Sequence, residues 1–225
     1  MKVKSNVLAS LAYVGKSVCK CSSLIGRAFV NVDPTVKFAT IGYPRCGNVF
    51  LNRSLRLGRE SSVLEQTFHS AGIASLLVQR RVNVCVITRD PVEAVLSNKL
   101  ANPHISVSAF FIGYVLFHLR ILCVKKNITV VTLPMIKDPD EHCLNLLRDF
   151  LGESECWTLP NSKKILRWIA SDPPWDNNPM HLSAPSAEKI KKIHELKPLV
   201  SNHPLVGISQ LCFGLVTRQT LGAKR

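Results

Sequence analysis

A glycine-rich turn between a short apolar run and a helical pattern is the clearest chemical signal in the sequence. In ATIGYPRCGNVFLNRSL, residues 39–55, the apolar run ends at Gly42 and a second glycine follows at Gly47. Such a turn presents backbone N–H groups and the positive end of the next helix to a phosphate. The spacing is the GxxxxG of a P-loop, but Asn48 and Val49 stand where that motif has Lys and Ser or Thr. Because valine cannot ligate Mg²⁺, the loop is poorly suited to phosphoryl transfer from a metal-bound triphosphate.

The basic residue of this loop, Arg45, lies inside the turn. Phosphate-binding amides with a cation, but without a hydroxyl for Mg²⁺, suit a group transfer that needs no metal. Sulfuryl transfer fits, since the migrating SO₃ group carries less charge than a phosphoryl group and an arginine with a helix end can stabilise the leaving phosphate. A glycine turn with only a structural role is the alternative interpretation.

A second pattern follows another apolar run, in VCVITRDPVEAVLSNKL at residues 84–100. Arg89 is expected at the carboxyl end of a strand, and Ser97 lies eight residues later on the helix that follows. A guanidinium fork and a hydroxyl can hold one phosphate between them. The alternative is an arginine in a salt bridge beside Asp90, with Ser97 on the surface.

Taken together, these segments resemble the sulfotransferases that use 3′-phosphoadenosine 5′-phosphosulfate (PAPS). YPRCGNVFL resembles the 5′-phosphosulfate loop of that family, and ITRDPVEAVLSNKL resembles its 3′-phosphate motif. ITVVTLPMIKDPDEHCLNLLRDFLG resembles a later strand and helix of the family. The resemblance covers about residues 37–152 and implies a P-loop NTPase-like fold, PAPS as the co-substrate and no metal.

The resemblance also implies roles for individual residues. Arg45 would contact the sulfate-bearing phosphate and the bridging oxygen, and Arg89 with Ser97 would hold the 3′-phosphate. Cys46 stands where the family has serine, and a thiol is a weaker hydrogen-bond partner than a hydroxyl. The remaining implied phosphate ligands are the backbone amides of Gly47, Asn48, Val49 and Phe50.

The acceptor hydroxyl needs a general base, and His69 in EQTFHS is the first candidate. It resembles the histidine that closes the KTH strand of the family, and histidine titrates near neutral pH. Glu65 on the same strand is the second candidate, since carbohydrate-type members use a glutamate. Gln66 replaces the lysine of KTH, and a histidine satisfied by hydrogen bonds at a sheet edge is the structural alternative.

The C-terminal cofactor loop of the family is not visible in the sequence. Basic and aromatic residues lie roughly where it should be, and a solvated basic helix is the alternative interpretation of that segment. These residues are Lys163, Lys164, Arg167 and Trp175.

Charge leaves two other function classes open. The 225 residues include 29 Lys and Arg against 15 Asp and Glu, a formal charge of +14 that attracts nucleic acid, anionic lipid or a polyanionic small molecule. The alternatives are therefore a Mg²⁺-dependent nucleotide or metabolite kinase and a non-catalytic basic module that binds nucleic acid or anionic membrane. No RNA-binding motif is visible, so nucleic acid is not an expected partner. The expected partner is a hydroxyl-bearing acceptor, a carbohydrate or a small alcohol.

The elements that must position these residues alternate along the chain. Strands are predicted over residues 36–42, 62–70, 82–90 and 127–134, and helices over 48–58, 71–81, 91–100, 106–126, 138–152 and 186–199. The third strand is apolar on both faces, as are strands inside parallel sheets. The sequence therefore predicts an α/β fold, a three-layer α/β/α sandwich around a central parallel sheet.

Three regions are predicted: a basic N-terminal segment over 1–34, expected to be helical, a sulfotransferase-like domain over 35–200 and a basic tail over 201–225. The N-terminal segment has no acidic residue in its first 30 positions, so a packed helix, a targeting peptide and a membrane-surface helix are all open. The eight cysteines contain no CxxC pair and are interpreted as reduced thiols. They favour the cytoplasm, with the Golgi or another membrane-associated compartment as the alternative.

Overall fold

The computed structural model describes residues 2–21, 35–56, 62–64, 68–152 and 187–218. Three strands form a parallel sheet in the order β1-β2-β3, with β1 at Phe38–Gly42, β2 at Asn83–Thr88 and β3 at Ile128–Thr132. The helices are α1 (Lys2–Cys21), α2 (Asn48–Arg56), α3 (Ala71–Gln79), α4 (Pro91–Ala101), α5 (Val107–Leu122), α6 (Leu133–Lys137), α7 (Glu141–Leu151), α8 (Ala187–Ser201) and α9 (Val206–Thr217). A 3₁₀ turn at Lys125–Asn127 precedes β3.

The segment over 62–70 was predicted as a strand, but its described residues do not form a continuous one. Its described residues pair with β1 only at two single-residue parallel bridges, Val63 with Phe38 and Phe68 with Ile41. Since Phe38 also pairs with Asn83 of β2, the bridging segment lies on the other edge of β1. It brings His69 to the carboxyl end of the sheet, where the loops after β1 and β2 also lie.

Both faces of the sheet are covered by helices because its strands are apolar on both sides. One face packs against α3, α5 and α9, and the other packs against α2, α6 and α7. Alternate residues of β2 divide between them: Val84 and Val86 belong to the first cluster, and Cys85 and Ile87 to the second. The predicted α/β architecture, a parallel sheet flanked by helices, is therefore confirmed.

The described part of the N-terminal segment is the helix α1, which packs on α3 and α5. The ring of Tyr13 on α1 meets the ring of Phe110 on α5 edge-on, with centroids 5.0 Å apart. At Gly113 the two helices are so close that a Cβ would lie 2.9 Å from Ser17 Oγ and 3.0 Å from Tyr13 Cε1. Both α1 and α9 pack against α5. The predicted limits of the three regions stay a prediction.

No single helix among the described residues is long and apolar enough to cross a membrane. Only α8 and α9 together have the length and composition for it, and they meet at a bend of 95°. The whole of 153–186, with its four candidate residues, lies outside the described residues.

Candidate functional site

The loop after β1 turns through two residues in the left-handed region of backbone space. Arg45 has φ 67° and Gly47 has φ 99°. Only glycine fits the second position, because a Cβ there would lie 2.6 Å from Leu133 Cδ1. A non-glycine residue with positive φ is uncommon and concentrates at functional sites, and here it is the arginine that the sequence placed inside the phosphate loop.

The loop runs directly into α2. The N–H of Leu51 donates to Gly47 O at 3.0 Å. The N–H groups before it, on residues 48–50, have no acceptor within an α-helix and point out of its N-terminus. Asn48 and Phe50 have buried side chains, while Val49 is 46% exposed and offers an apolar group where a P-loop NTPase holds its metal.

Cys46 contributes its side chain to the core and not to the mouth of the loop. Its thiol is fully buried in the cluster that contains Ile41 and Tyr43, and burial raises the thiol pKa to about 12. Its backbone N–H donates to Tyr43 O at 3.2 Å. The Cys46 side chain therefore serves core packing.

The two sequence patterns meet in space although they are far apart along the chain. The Nε of Arg45 donates to Ser97 Oγ at 3.3 Å, and Nη1 of Arg89 lies 3.5 Å from Arg45 O. The neighbouring Asn98 donates from Nδ2 to Pro44 O at 3.0 Å, which ties the loop to α4. The predicted phosphate residues thus form one contiguous cluster.

Arg89 is in a salt bridge, as in the alternative that the sequence left open, although Asp90 has another role. Asp90 caps α4, where its Oδ1 accepts from the N–H of Val92 at 2.9 Å and of Glu93 at 3.1 Å. The salt bridge of Arg89 is instead to Glu93, with 2.8 Å between Nε and Oε2. The Glu93 side chain is 57% exposed, so this pair is weak and an anion of higher charge can compete with it.

Sequence reasoning missed a third cation at this cluster, Lys189 on α8. It is buried, and α8 packs on α4, the helix of Ser97. Burial lowers its pKa, and the charges of Arg45 and Arg89 lower it further. Like charges held this close together favour a bound anion. No motif in the sequence connects a helical lysine to residues a hundred positions earlier.

His69 lies on the other side of the loop, beside Asn48. Its Nδ1 is 2.9 Å from Asn48 Nδ2 and 3.0 Å from Gly42 O. Asn48 Nδ2 also donates to Gly42 O at 3.0 Å and to Phe68 O at 3.3 Å. Burial lowers the His69 pKa, the Gly42 hydrogen bond opposes that, and the charges of Lys20 and Arg45 lower it further. The ring is therefore neutral at neutral pH.

Two arrangements of hydrogens satisfy these contacts. In the first, Asn48 donates to Gly42 O and to His69 Nδ1, so Nε2 carries the ring hydrogen. In the second, Asn48 donates to Gly42 O and Phe68 O, Nδ1 donates to Gly42 O, and Nε2 has a lone pair. Only the second leaves Nε2 able to accept a proton.

A narrow cleft of about 30 Å³ opens beside His69. This is enough room for at least one water molecule. Its walls are Tyr43 and Pro44 of the loop together with residues of α1, among them Lys16, Ser17 and Lys20. No sequence pattern indicates that the N-terminal helix reaches the site, because that contact depends only on the packing of α1 against α3 and α5.

Two expectations remain: one is the second candidate base, and the other concerns a metal ion. Glu65, the second candidate base, and Gln66 lie outside the described residues. Within the described part of the chain there is no group of three or more His, Cys, Asp or Glu that could hold a metal ion. The chain matches no family model, and no curated protein matches it.

Proposed function

We propose that the protein transfers a sulfuryl group from PAPS to a hydroxyl group, on a glycan or a small alcohol. The observation that carries this proposal is the convergence of Arg45, Arg89 and Ser97 at the carboxyl edge of β1 and β2, in front of the α2 N-terminus. Open α/β sheets bind phosphorylated ligands at this edge. A P-loop NTPase-like fold, with the metal-binding hydroxyl replaced by Val49, belongs to the same proposal.

The residues at this edge fit a ligand with two phosphates. The amides at the start of α2 and the Arg45 guanidinium bind the phosphate that leaves, while Arg89 and Ser97 bind the second one. PAPS supplies the activated sulfuryl group. The Nε of Arg45 now donates to the Ser97 hydroxyl. This hydrogen bond must break before the two side chains can each bind a different phosphate. Lys189 adds a third charge from α8.

His69 is the proposed general base, through Nε2 in the tautomer whose Nδ1 donates to Gly42 O. Its lowered pKa keeps the ring neutral, which a base must be before it accepts a proton. The small cleft beside it admits the hydroxyl end of an acceptor and excludes bulk water. Glu65 remains the second candidate for this role.

Calorimetry with 3′,5′-adenosine bisphosphate tests the binding site. We expect Arg89→Ala to weaken binding by about 1.5–3 kcal/mol, since it removes a hydrogen bond from a charged group. Arg80→Ala removes an equal charge from an exposed position just before β2, at the opposite edge of the sheet, and should leave binding unchanged. Equal losses of nucleotide affinity in both variants would mean that net charge alone explains the effect of Arg89→Ala. Wild-type protein that does not bind the nucleotide would refute the proposal.

Turnover separates this proposal from the kinase alternative. Arg45→Ala should lower sulfuryl transfer from PAPS more than it lowers nucleotide affinity, because its charge acts on the phosphate that leaves. Transfer should persist in the presence of a chelator of divalent cations. Mg²⁺-dependent turnover of ATP by the purified protein would favour the kinase instead.

A further inference from the structure

The helices α1, α5 and α9 expose apolar side chains on their outer surfaces. Of the twelve large apolar residues exposed among the described residues, nine lie on these three helices. The most exposed on α1 are Leu8 and Leu11, and on α9 the most exposed is Leu211, at 60%. α5 contributes Ile112 and Leu119. Exposed apolar residues concentrated in this way mark an interaction surface.

The three helices lie side by side, with α5 in the middle. α5 packs against α1 on one side and α9 on the other. A groove of about 470 Å³ between α1 and α5 is lined by Leu11 and Ile112 together. At the other side, Lys125 Nζ, just after α5, donates to Leu215 O of α9. The three helices are therefore neighbours, and we call their outer surfaces together the α1–α5–α9 face.

The charged residues on the helices of this face have one sign. None of the three helices contains an acidic residue, and the chain has none before Asp33, between Glu93 and Asp138, or after Glu195. Exposed cations follow two of these helices directly: Lys126 after α5 and Arg218 after α9. Apolar side chains with a basic rim are the pattern of helices that lie in the surface of an anionic bilayer.

We infer that the α1–α5–α9 face docks on anionic lipid membranes without crossing them. Leu11, Ile112 and Leu211 enter the boundary between headgroups and acyl chains, and the surrounding cations contact the lipid phosphates. A second copy of the chain is a poorer occupant, because it would bring the same basic rim against this one. The inference is independent of sulfuryl transfer, since it uses no residue of the phosphate cluster.

Flotation with lipid vesicles tests the inference on the full chain. The protein should float with vesicles of phosphatidylcholine and phosphatidylserine, less with pure phosphatidylcholine, and binding should fall as salt rises. Leu11→Glu and Leu211→Glu should each reduce binding by about tenfold or more, the equivalent of losing one buried leucine. Both positions are exposed, so the thermal unfolding midpoint should stay unchanged.

Leu199→Glu is the matched control, because Leu199 is an equally exposed leucine on α8, outside the face. It should bind vesicles as the wild type does. Three results would overturn the inference: no binding to phosphatidylserine vesicles, equal losses in the control, or equal binding to uncharged vesicles. A stable wild-type dimer that Leu11→Glu converts to a monomer, without vesicle binding, would assign the face to self-association.

Discussion

Two histidines lie at the carboxyl ends of neighbouring parts of the sheet and differ in how their nitrogens are used. His118 on α5 donates from Nδ1 to Tyr114 O at 2.8 Å and accepts at Nε2 from the Thr88 hydroxyl at 2.7 Å. Its ring also stacks on Tyr114, with centroids 3.9 Å apart. Among the described residues, His69 has hydrogen-bond contacts at Nδ1 only, and its ring faces a cleft.

The difference separates a structural histidine from one that is available for chemistry. Burial lowers both pKa values, so a low pKa by itself does not identify a base. The neutral ring of His118 has its donor and its acceptor both satisfied, and it can take no proton without breaking a hydrogen bond. His69 is half-buried and lies beside a space that admits a hydroxyl group, which is the geometry that proton transfer needs.

The largest expected effect is on turnover. His69→Asn keeps a polar atom near the position of Nδ1 and removes Nε2, so sulfuryl transfer should fall by about 10²–10⁴-fold, the usual contribution of a general base. The unfolding midpoint should change little. His142→Asn, at an exposed position on α7, is the control and should keep full activity. Undiminished transfer by the His69 variant would move the role to Glu65.

The next effect concerns stability at acid pH. The His118 pKa is lowered to about 4 by burial, so the unfolded chain binds a proton below pH 6.5 that the folded chain takes up only near pH 4. Stability should therefore be complete above pH 6.5 and fall by about 3 kcal/mol as pH drops to 4. Denaturant unfolding across this range should show a flatter profile for His118→Gln. An unchanged profile would mean that His118 is not the titrating group.

The smallest expected effect is the loss of stability when the hydrogen bond between Thr88 and His118 is removed. Thr88→Val keeps the shape of the side chain but leaves Nε2 without its donor, at a cost of about 1–3 kcal/mol in unfolding free energy. Thr129→Val, at a half-buried position on β3, should change stability by less than about 0.5 kcal/mol. If the two variants were equally stable, the Thr88 contact would contribute nothing and the contrast with His69 would weaken.

Local patterns were enough to predict most of the elements. The helix α7 lies within the predicted limits of 138–152 and has clear end signals: Asp140 Oδ1 accepts from the Cys143 N–H at 2.8 Å, and Gly152 ends the helix with φ 69°. The strands that are apolar on both faces are those buried between two helical layers. The helix α6, capped by Thr132, was missed because five residues are too few to reveal a helical period.

Contacts between distant segments were beyond the sequence. The loop arginine and Ser97 were both proposed as phosphate ligands, but their direct hydrogen bond follows from how α4 packs beside the loop. Lys189 and the α1 wall of the cleft carry no local signal, since a buried lysine and a surface lysine look alike in a sequence. The strand over 62–70 was overestimated because alternation alone cannot say how many residues of an edge segment form hydrogen bonds.

The glycine at position 113 makes the width of the cleft depend on a single missing methyl group. Gly113 lines that cleft and lets Tyr13 and Ser17 approach the backbone of α5. The methyl group of an alanine there would contact Ser17 and Tyr13 too closely and displace the N-terminal helix outward, away from His69. Residue size at this one point would then determine how bulky an alcohol can reach the imidazole, although position 113 takes no part in the chemistry.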